Sequence, residues 1–461
     1  MNTLLDDASF VEIGSEVTAR STDFNEGSID TPKDGVITGY GLIDGKLVYV
    51  YSQDASVLGG AIGEMHAKKI SAIYNLALKV GAPVIGLIDT AGLRLQEATD
   101  SLHSFGALFK KSTIASGVIP QITAVFGNCG GGAAILSALS DFTYMVEGSK
   151  LFVNSPNAIK GNFEDKCDTS SAKYLSENTS LVDCVASNDT EALARIRGLV
   201  SVLPANNMDE AVSECLDDLN RTIPGIDASK DDARAVANAI SDDNEFIEVK
   251  AEYGRDMVTG FIKLNGATVA VVANQVSESK GLISPEGANK AAEFVSFADS
   301  FNIPILTLTA AKGFGATFES EKTIAKASAR LTVAFTDATV PKVNVIIGDA
   351  FGSAYIIMNS KSIGADMVYA WPTAKIGITD PSVAAEIMYA DDIASSDDKV
   401  AKIKEAADEI TKAQSSALAA ARRGYVDDII EPDATRKRLI AAFDMLATKR
   451  EDRPYKKHMA F

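Results

Sequence analysis

The sequence predicts an α/β fold built of two similar domains, each around a largely parallel sheet. Three observations carry this. Short apolar runs that follow a proline, PVIGLID from Pro83 and PILTLTA from Pro304, alternate with longer amphipathic stretches. That is the pattern of strands buried on both faces and joined by helices. The pattern occurs twice along the chain. Finally, 461 residues with 46% apolar content are enough for two cores.

Residues 36–54 read VITGYGLIDGKLVYVYSQD and residues 257–275 read MVTGFIKLNGATVAVVANQ, so Gly39 meets Gly260 and Gly45 meets Gly266 at an offset of 221 (260 − 39, 266 − 45). The offset persists downstream, where Pro83 meets Pro304, Gly92 meets Gly313, Pro120 meets Pro341 and Gly127 meets Gly348. Agreement of this kind without a gap reads as internal duplication.

Each half has the same order of elements. A hairpin comes first, with its turn at Asp44-Gly45 or Asn265-Gly266. A glycine-containing loop and a helix follow (66–79; 288–300). Then comes a strand after proline (83–88; 304–309), a loop, a second helix and a second strand (122–126; 343–347). That strand runs into a glycine-rich turn and another helix. Residues 221–236, RTIPGIDASKDDARAV, read as a linker entering a short helix, which sets the domains at 1–230 and 231–461. The uncharged stretch 112–140 contains Pro120 and a glycine run, and reads as a buried strand and helix rather than a membrane span.

The net charge of −18 argues against a nucleic-acid partner but not against an anionic small molecule held by a local patch. Four scattered cysteines without a CxxC pair, and only three histidines, indicate neither a zinc site nor a disulfide framework. The spread fits a reducing cytoplasm. MNTLLDDASFVEIG lacks the basic and apolar regions of a signal peptide.

Residues 126–134 read FGNCGGGAA. No GxxxxGK[ST] or GxGxxG spacing is present, which disfavours a nucleotide loop. Two readings remain. Small residues let a helix pack close to the sheet, or the turn is an oxyanion hole in which amides at a helix N-terminus face a developing negative charge. Duplication would give two holes, one near Gly131-Gly132 and one near Ser353-Ala354. Other candidates have an equally plain structural reading. Asp89, Arg94 and Glu97 follow the first buried strand, where ligands bind in α/β folds, or they form a salt-bridged loop. Gly59 and Gly60 open the backbone or simply turn it. Lys68 and Lys69 reach phosphates or line a solvated face. His66, His103 and Cys129 read as packing or surface residues.

TAGLRLQEATDSL, ASGVIPQITAVFGNCGGGAA, SDFTYMVEGSKLFV and RRGYVDDIIEPDATR occur in this order. With them the chain resembles the carboxyltransferase subunit of biotin-dependent acyl-CoA carboxylases and decarboxylases, over nearly its whole length. FVEIGSEVTARSTDF and YSQDASVLGGAIGEMHAKKI are most similar to the α subunits of sodium-pumping decarboxylases acting on methylmalonyl-CoA or glutaconyl-CoA. The resemblance implies two tandem crotonase-like domains, the first binding the acyl-CoA thioester and the second biotin, with an active site shared between subunits of a homodimer or hexamer. By motif, Gly131 and Gly132 would hold the thioester enolate, with Gly59, Gly60, Arg94 and Gly130 on the acyl-CoA side. Ser353 and Ala354 would hold the ureido oxygen of biotin, with Phe351, Gly352 and Ile356 lining the biotin site or acyl pocket. No metal is implied.

The chain carries no AMKM-type attachment sequence and no ATP-grasp segment. The resemblance therefore implies a separate biotin carboxyl carrier protein, and either a membrane sodium-pump decarboxylase subunit or a biotin carboxylase. A cytoplasmic protein, peripheral to the inner face of the membrane in the first case, is implied. Two departures stand out. Ala310-Ala311-Lys312-Gly313-Phe314 occupies the place of a DTPGF-like loop, and residues 161–190 lack the histidine-bearing stretch of many carboxylases. The alternatives are the β subunit of an ATP-dependent acetyl- or propionyl-CoA carboxylase, a crotonase-type hydratase or isomerase, and a non-catalytic scaffold subunit.

Overall fold

The structure, a computed structural model, describes residues 1–22, 31–161 and 168–453. The departure read at 161–190 falls partly on residues 162–167, outside the described residues. The chain divides into two compact units, Met1–Ala211 and Val212–Phe461.

In the first unit, β1 (Val11–Glu12), β2 (Val36–Ile43), β3 (Lys46–Gln53), β4 (Val84–Thr90), β5 (Gln121–Gly130), β6 (Phe142–Val146) and β8 (Cys184–Ala186) form a sheet in the order β1-β2-β3-β4-β5-β6-β8, and β7 (Lys150–Phe152) pairs with the end of β5. Only the β1–β2 and β2–β3 pairs are antiparallel. In the second unit, β9 (Ile247–Val249), β10 (Met257–Leu264), β11 (Ala267–Asn274), β13 (Ile305–Thr309), β15 (Lys342–Ile346), β17 (Met367–Ala370) and β19 (Asp428–Ile429) repeat the plan, with β9, β10 and β11 antiparallel and the rest parallel. Two short parallel pairs stand apart, β12 (Leu282–Ile283) with β14 (Gly313–Phe314), and β16 (Asp349–Phe351) with β18 (Lys375–Gly377).

The division falls before the boundary expected at 230/231. Ser213 N–H donates to Gly266 O at 2.9 Å, Arg221 donates to Ala239 O at 3.0 Å and to Ser241 O at 2.7 Å, and Ile226 is buried in the second core. The segment read as a linker is therefore packed chain of the second unit. Its two arginines are spent on hydrogen bonds within that unit, Arg221 on backbone carbonyls and Arg234 on Glu248.

The duplication reaches into details that maintain the fold. Each hairpin turn is held by an aspartate that is itself paired to an arginine. Gly45 N–H donates to Asp6 Oδ2 at 2.9 Å, and Arg197 to Asp6 at 2.9 Å. Gly266 N–H donates to Asp242 Oδ2 at 2.7 Å, and Arg436 to Asp242 at 2.7 Å. Two buried lysines, 221 residues apart (290 − 69), each tie two loop carbonyls: Lys69 those of Lys33 and Val36, Lys290 those of Lys250 and Tyr253. Burial pushes Lys69 down to about 8 and Lys290 down to about 7. Among the described residues no helix is long and apolar enough to cross a membrane. The 112–140 stretch instead supplies the end of one helix, β5 and the short helix Gly132–Ala138.

Candidate active site

The glycine run is not a loop throughout. β5 continues through Gly127 and Gly130, and only Gly131 turns the chain into the helix Gly132–Ala138. The four glycines serve different needs. A Cβ at Gly127 would lie 2.2 Å from the Asp89 carboxylate, at Gly132 2.9 Å from the Phe105 ring, and at Gly130 3.2 Å from the Phe152 ring. Those are packing reasons. Gly131 has open space around it, but its φ of +62° and ψ of −125° suit only glycine.

The Gly131 N–H donates to Phe152 O at 2.9 Å, so it is spent on the fold. The next two amides, Gly132 and Ala133, open the helix and meet no acceptor among the described residues. Of the pair Gly131 and Gly132 that the resemblance names, the Gly132 amide is thus left free together with that of Ala133.

The second unit builds the same turn. Gly352 has φ +59° and begins the helix Gly352–Ile357. The offset of 221 matches Gly352 to Gly131, so Ser353 and Ala354 match Gly132 and Ala133 (353 − 132, 354 − 133). Their amides likewise meet no acceptor among the described residues. A Cβ at Gly352 would lie 3.1 Å from Ile378 O. Phe351 is buried, while Ile356 is 38% exposed and so is not a core residue. Its counterpart Ile135 is 42% exposed (356 − 135 = 221). Each turn is thus flanked by one isoleucine open to an apolar ligand.

Gly60 sits against the end of β4. Its φ is +64°, its carbonyl accepts Thr90 Oγ1 at 2.7 Å, and a Cβ there would lie 2.2 Å from Asp89 O. Gly59 O accepts Ala91 N–H at 3.0 Å. In the second unit Gly281 takes the place of Gly60 beside Ala310 O.

Arg94 has a different place from the one the resemblance implies. Its guanidinium is 1% exposed and forks between Asp34 and Glu97, while Nη2 donates to Ala61 O at 2.7 Å. Both carboxylates also cap the helix Glu64–Val80: Glu97 accepts Glu64 N–H, and Asp34 accepts His66 N–H at 2.7 Å. Burial raises Asp34 even beside the arginine. Arg94 therefore fixes the loop that carries Gly59 and Gly60 through Ala61 O and the two carboxylates. Lys68 is exposed and paired with Glu64 at 2.6 Å, and Lys69 is committed to backbone carbonyls. His103 lies exposed on the helix Ala98–Ala115. Cys129 is buried with its Sγ 3.3 Å from Ser137 Oγ, and burial pushes its thiol up to about 12, which makes it a packed residue and not a nucleophile.

His66, by contrast, is fully buried and structural. Its Nδ1 lies 2.9 Å from Asp34 O and its Nε2 3.2 Å from Gln53 Nε2. These partners fix the tautomer: Nδ1–H donates and Nε2 accepts. Burial, with Arg94 and Lys69 near, pushes the imidazole down to about 3. The sequence reading missed Asp34, Gln53 and Phe152. Gln53 had a signal, because within the repeat it matches Asn274 (274 − 53 = 221), each at the end of its strand.

The altered loop 310–314 keeps the backbone form of its counterpart. Ala310 N–H donates to Asn274 Oδ1 at 3.0 Å, as Asp89 N–H donates to Gln53 Oε1 at 3.2 Å. The missing acid at 310 is balanced by Asp349, which stands where the first unit has Asn128 and pairs with Lys312 at 3.3 Å.

The family model described as "Carboxyl transferase domain" matches residues 1–461. The methylmalonyl-CoA decarboxylase subunit alpha of Propionigenium modestum is 41% identical over 99% of this chain and 90% of its own length. The propionyl-CoA carboxylase beta chain of Roseobacter denitrificans is 39% identical over 99% and 91%. Among solved structures, the transcarboxylase 12S hexamer core with hydrolysed methylmalonyl-coenzyme A bound superposes with a TM-score of 0.92 at 36% identity, over 99% of this chain and 90% of that one.

Proposed function

Because the chain belongs to the carboxyl transferase domain family, the acyl-CoA carboxyltransferases of biotin-dependent carboxylases and decarboxylases, we propose that it moves a carboxyl group between a methylmalonyl-CoA-type thioester and biotin held on a separate carrier. The observation that carries this reading is the duplicated turn. At this turn each unit places a positive-φ glycine, Gly131 or Gly352, two following amides without acceptors among the described residues, and an exposed isoleucine, Ile135 or Ile356. A transfer that places negative charge first on a thioester and then on a ureido group needs two such sites.

In the first unit, the Gly132 and Ala133 amides hold the thioester oxygen as charge develops on it. One donor of this kind is worth roughly 3 kcal/mol of barrier. Gly131 sets the angle of the turn, Gly59, where a Cβ would meet only Ala91 Cβ at 3.6 Å, leaves the backbone open to the thioester, and Gly60 and Gly130 let that backbone pack close to Asp89 O and the Phe152 ring. Arg94 acts only by fixing the loop. In the second unit, Ser353 and Ala354 hold the ureido oxygen, flanked by Phe351, Gly352 and Ile356. The exposed Ile356, two residues after Ala354, offers apolar surface beside those amides to a fused bicyclic ring. Bound biotin supplies the ureido nitrogen that exchanges the carboxyl group. No side-chain base is required, in keeping with a neutral, buried His66.

The decarboxylase and carboxylase readings share this chemistry in opposite directions, and identities of 41% and 39% support both. The preserved backbone of the 310–314 loop favours a working second site over a scaffold role. By analogy with the transcarboxylase 12S hexamer, this chain assembles as a homodimer and, through further copies, as a hexamer. It works with a biotin carboxyl carrier protein, at the cytoplasmic face of a membrane decarboxylase subunit or beside a biotin carboxylase.

The test is product formation from methylmalonyl-, malonyl- and glutaconyl-CoA with and without free biotin. Biotin-dependent turnover of one donor supports the reading and names the substrate. A folded protein inactive on all three would overturn it.

A further inference from the structure

We infer that Asp89 is a positioning residue that braces the first glycine turn, and that the second unit has replaced this brace with the Lys312–Asp349 pair. The inference rests on the proposed role of the turn. The Asp89 side chain lies across the end of β5. Its Oδ1 accepts the Asn128 N–H at 3.0 Å, and its carboxylate fills the space that a Cβ at Gly127 would need. Asn128 is three residues before Gly131, so this contact holds the strand end from which the turn departs.

Asp89 is itself held from behind. Its N–H donates to Gln53 Oε1 at 3.2 Å. The Gln53 amide is oriented by its Nε2 bond to His66 at 3.2 Å, and His66 is oriented by Asp34 O at 2.9 Å. A chain of hydrogen bonds thus runs from the capped end of the helix Glu64–Val80 to the glycine turn. Each member is needed to orient the next.

The second unit keeps only the middle link of the chain and changes both ends. Asn274 still accepts the Ala310 N–H, but Ala310 has no carboxylate, Gly287 stands in place of His66, and a Cβ at Gly348 would meet Ala310 Cβ at 3.1 Å. The carboxylate has moved to Asp349, where Lys312 pairs with it, half-exposed. The first turn is therefore braced by a hydrogen bond to backbone and the second by an ion pair between side chains.

Asp89→Ala and Asp89→Asn in the full chain test this. An asparagine at 89 keeps an acceptor for Asn128 N–H and loses the charge. Asp89→Ala should lower kcat by about tenfold or more with the acyl-CoA KM within about twofold, and Asp89→Asn should recover most of that loss. Independently of turnover, amide exchange in the peptide containing Asn128 should be roughly tenfold faster in Asp89→Ala and near wild type in Asp89→Asn. Unchanged exchange in Asp89→Ala overturns the brace. So does faster exchange with unchanged kcat. A wild-type protein inactive on every donor, with exchange still faster in Asp89→Ala, counts against the proposed function and leaves the brace standing.

Discussion

Gly131 and Gly352, 221 residues apart (352 − 131), hold the same left-handed φ, +62° and +59°, at the start of equivalent helices. Around Gly131 nothing lies within 4 Å of a Cβ, so glycine is there for its backbone alone. Gly131→Ala should therefore cost about 1–3 kcal/mol of strain in the turn. Turnover should fall much further than the urea midpoint, because the strain is relieved by moving the two donor amides. Paired urea melts and turnover assays on Gly131→Ala check this.

The matched pair Gly39 and Gly260 answers to packing instead. A Cβ at Gly39 would lie 2.3 Å from Val11 O and 2.6 Å from the Phe10 ring. At Gly260 it would lie 2.4 Å from Ile247 O and 2.6 Å from the Phe246 ring. In both units the edge strand and its aromatic lie flat across the glycine. Gly39→Ala and Gly260→Ala should each cost about 1–3 kcal/mol through overpacking, read from chemical denaturation.

Removal of the Arg94 side chain leaves two buried carboxylates, Asp34 and Glu97, without their counter-charge. Arg94→Met should cost about 3–5 kcal/mol. Arg94→Lys should not restore it, since a single nitrogen on a shorter side chain cannot take the places of both Nη1, between the acids, and Nη2, on Ala61 O. Denaturant midpoints of the three proteins decide the matter.

His66 gives the fold a pH dependence of known sign. Its folded value, about 3, lies below the ordinary 6.5. Between these values the unfolded chain binds a proton that the native one excludes. The stabilisation is complete above pH 6.5 and is lost as pH falls, by roughly 1.4 kcal/mol per pH unit. His66→Gln lacks that titration. The stability difference between wild type and His66→Gln should therefore change by about this slope between pH 6 and 5.

Much of the fold was legible because the duplication left a fixed register. The turns at Gly45 and Gly266, the strands after Pro83 and Pro304 and the matched glycines all lie where the 221-residue offset puts them. The domain boundary was less legible, because a polar, glycine- and proline-bearing segment looks the same whether its polar groups meet water or, like Arg221, meet backbone carbonyls. At the glycine turn, which amides are left free was not legible. The run GGG does not reveal which amide is spent on Phe152 O, since that partner lies on β7, over twenty residues away in sequence. Arg94 misled for a related reason. An arginine on a ligand-facing loop reads as a ligand contact until the two carboxylates folded around it are seen.

The central claim is that each unit supplies one pair of amide donors and that both pairs are needed. Ala133→Pro and Ser353→Pro each remove one donor within the first helical turn, where proline is tolerated, and neither adds a Cβ where glycine was needed. The decisive measurement is biotin-dependent methylmalonyl-CoA turnover by the wild type and these two variants, each shown to be folded by circular dichroism. The account predicts a loss of about a hundredfold or more in both variants. Wild-type turnover in either would contradict it.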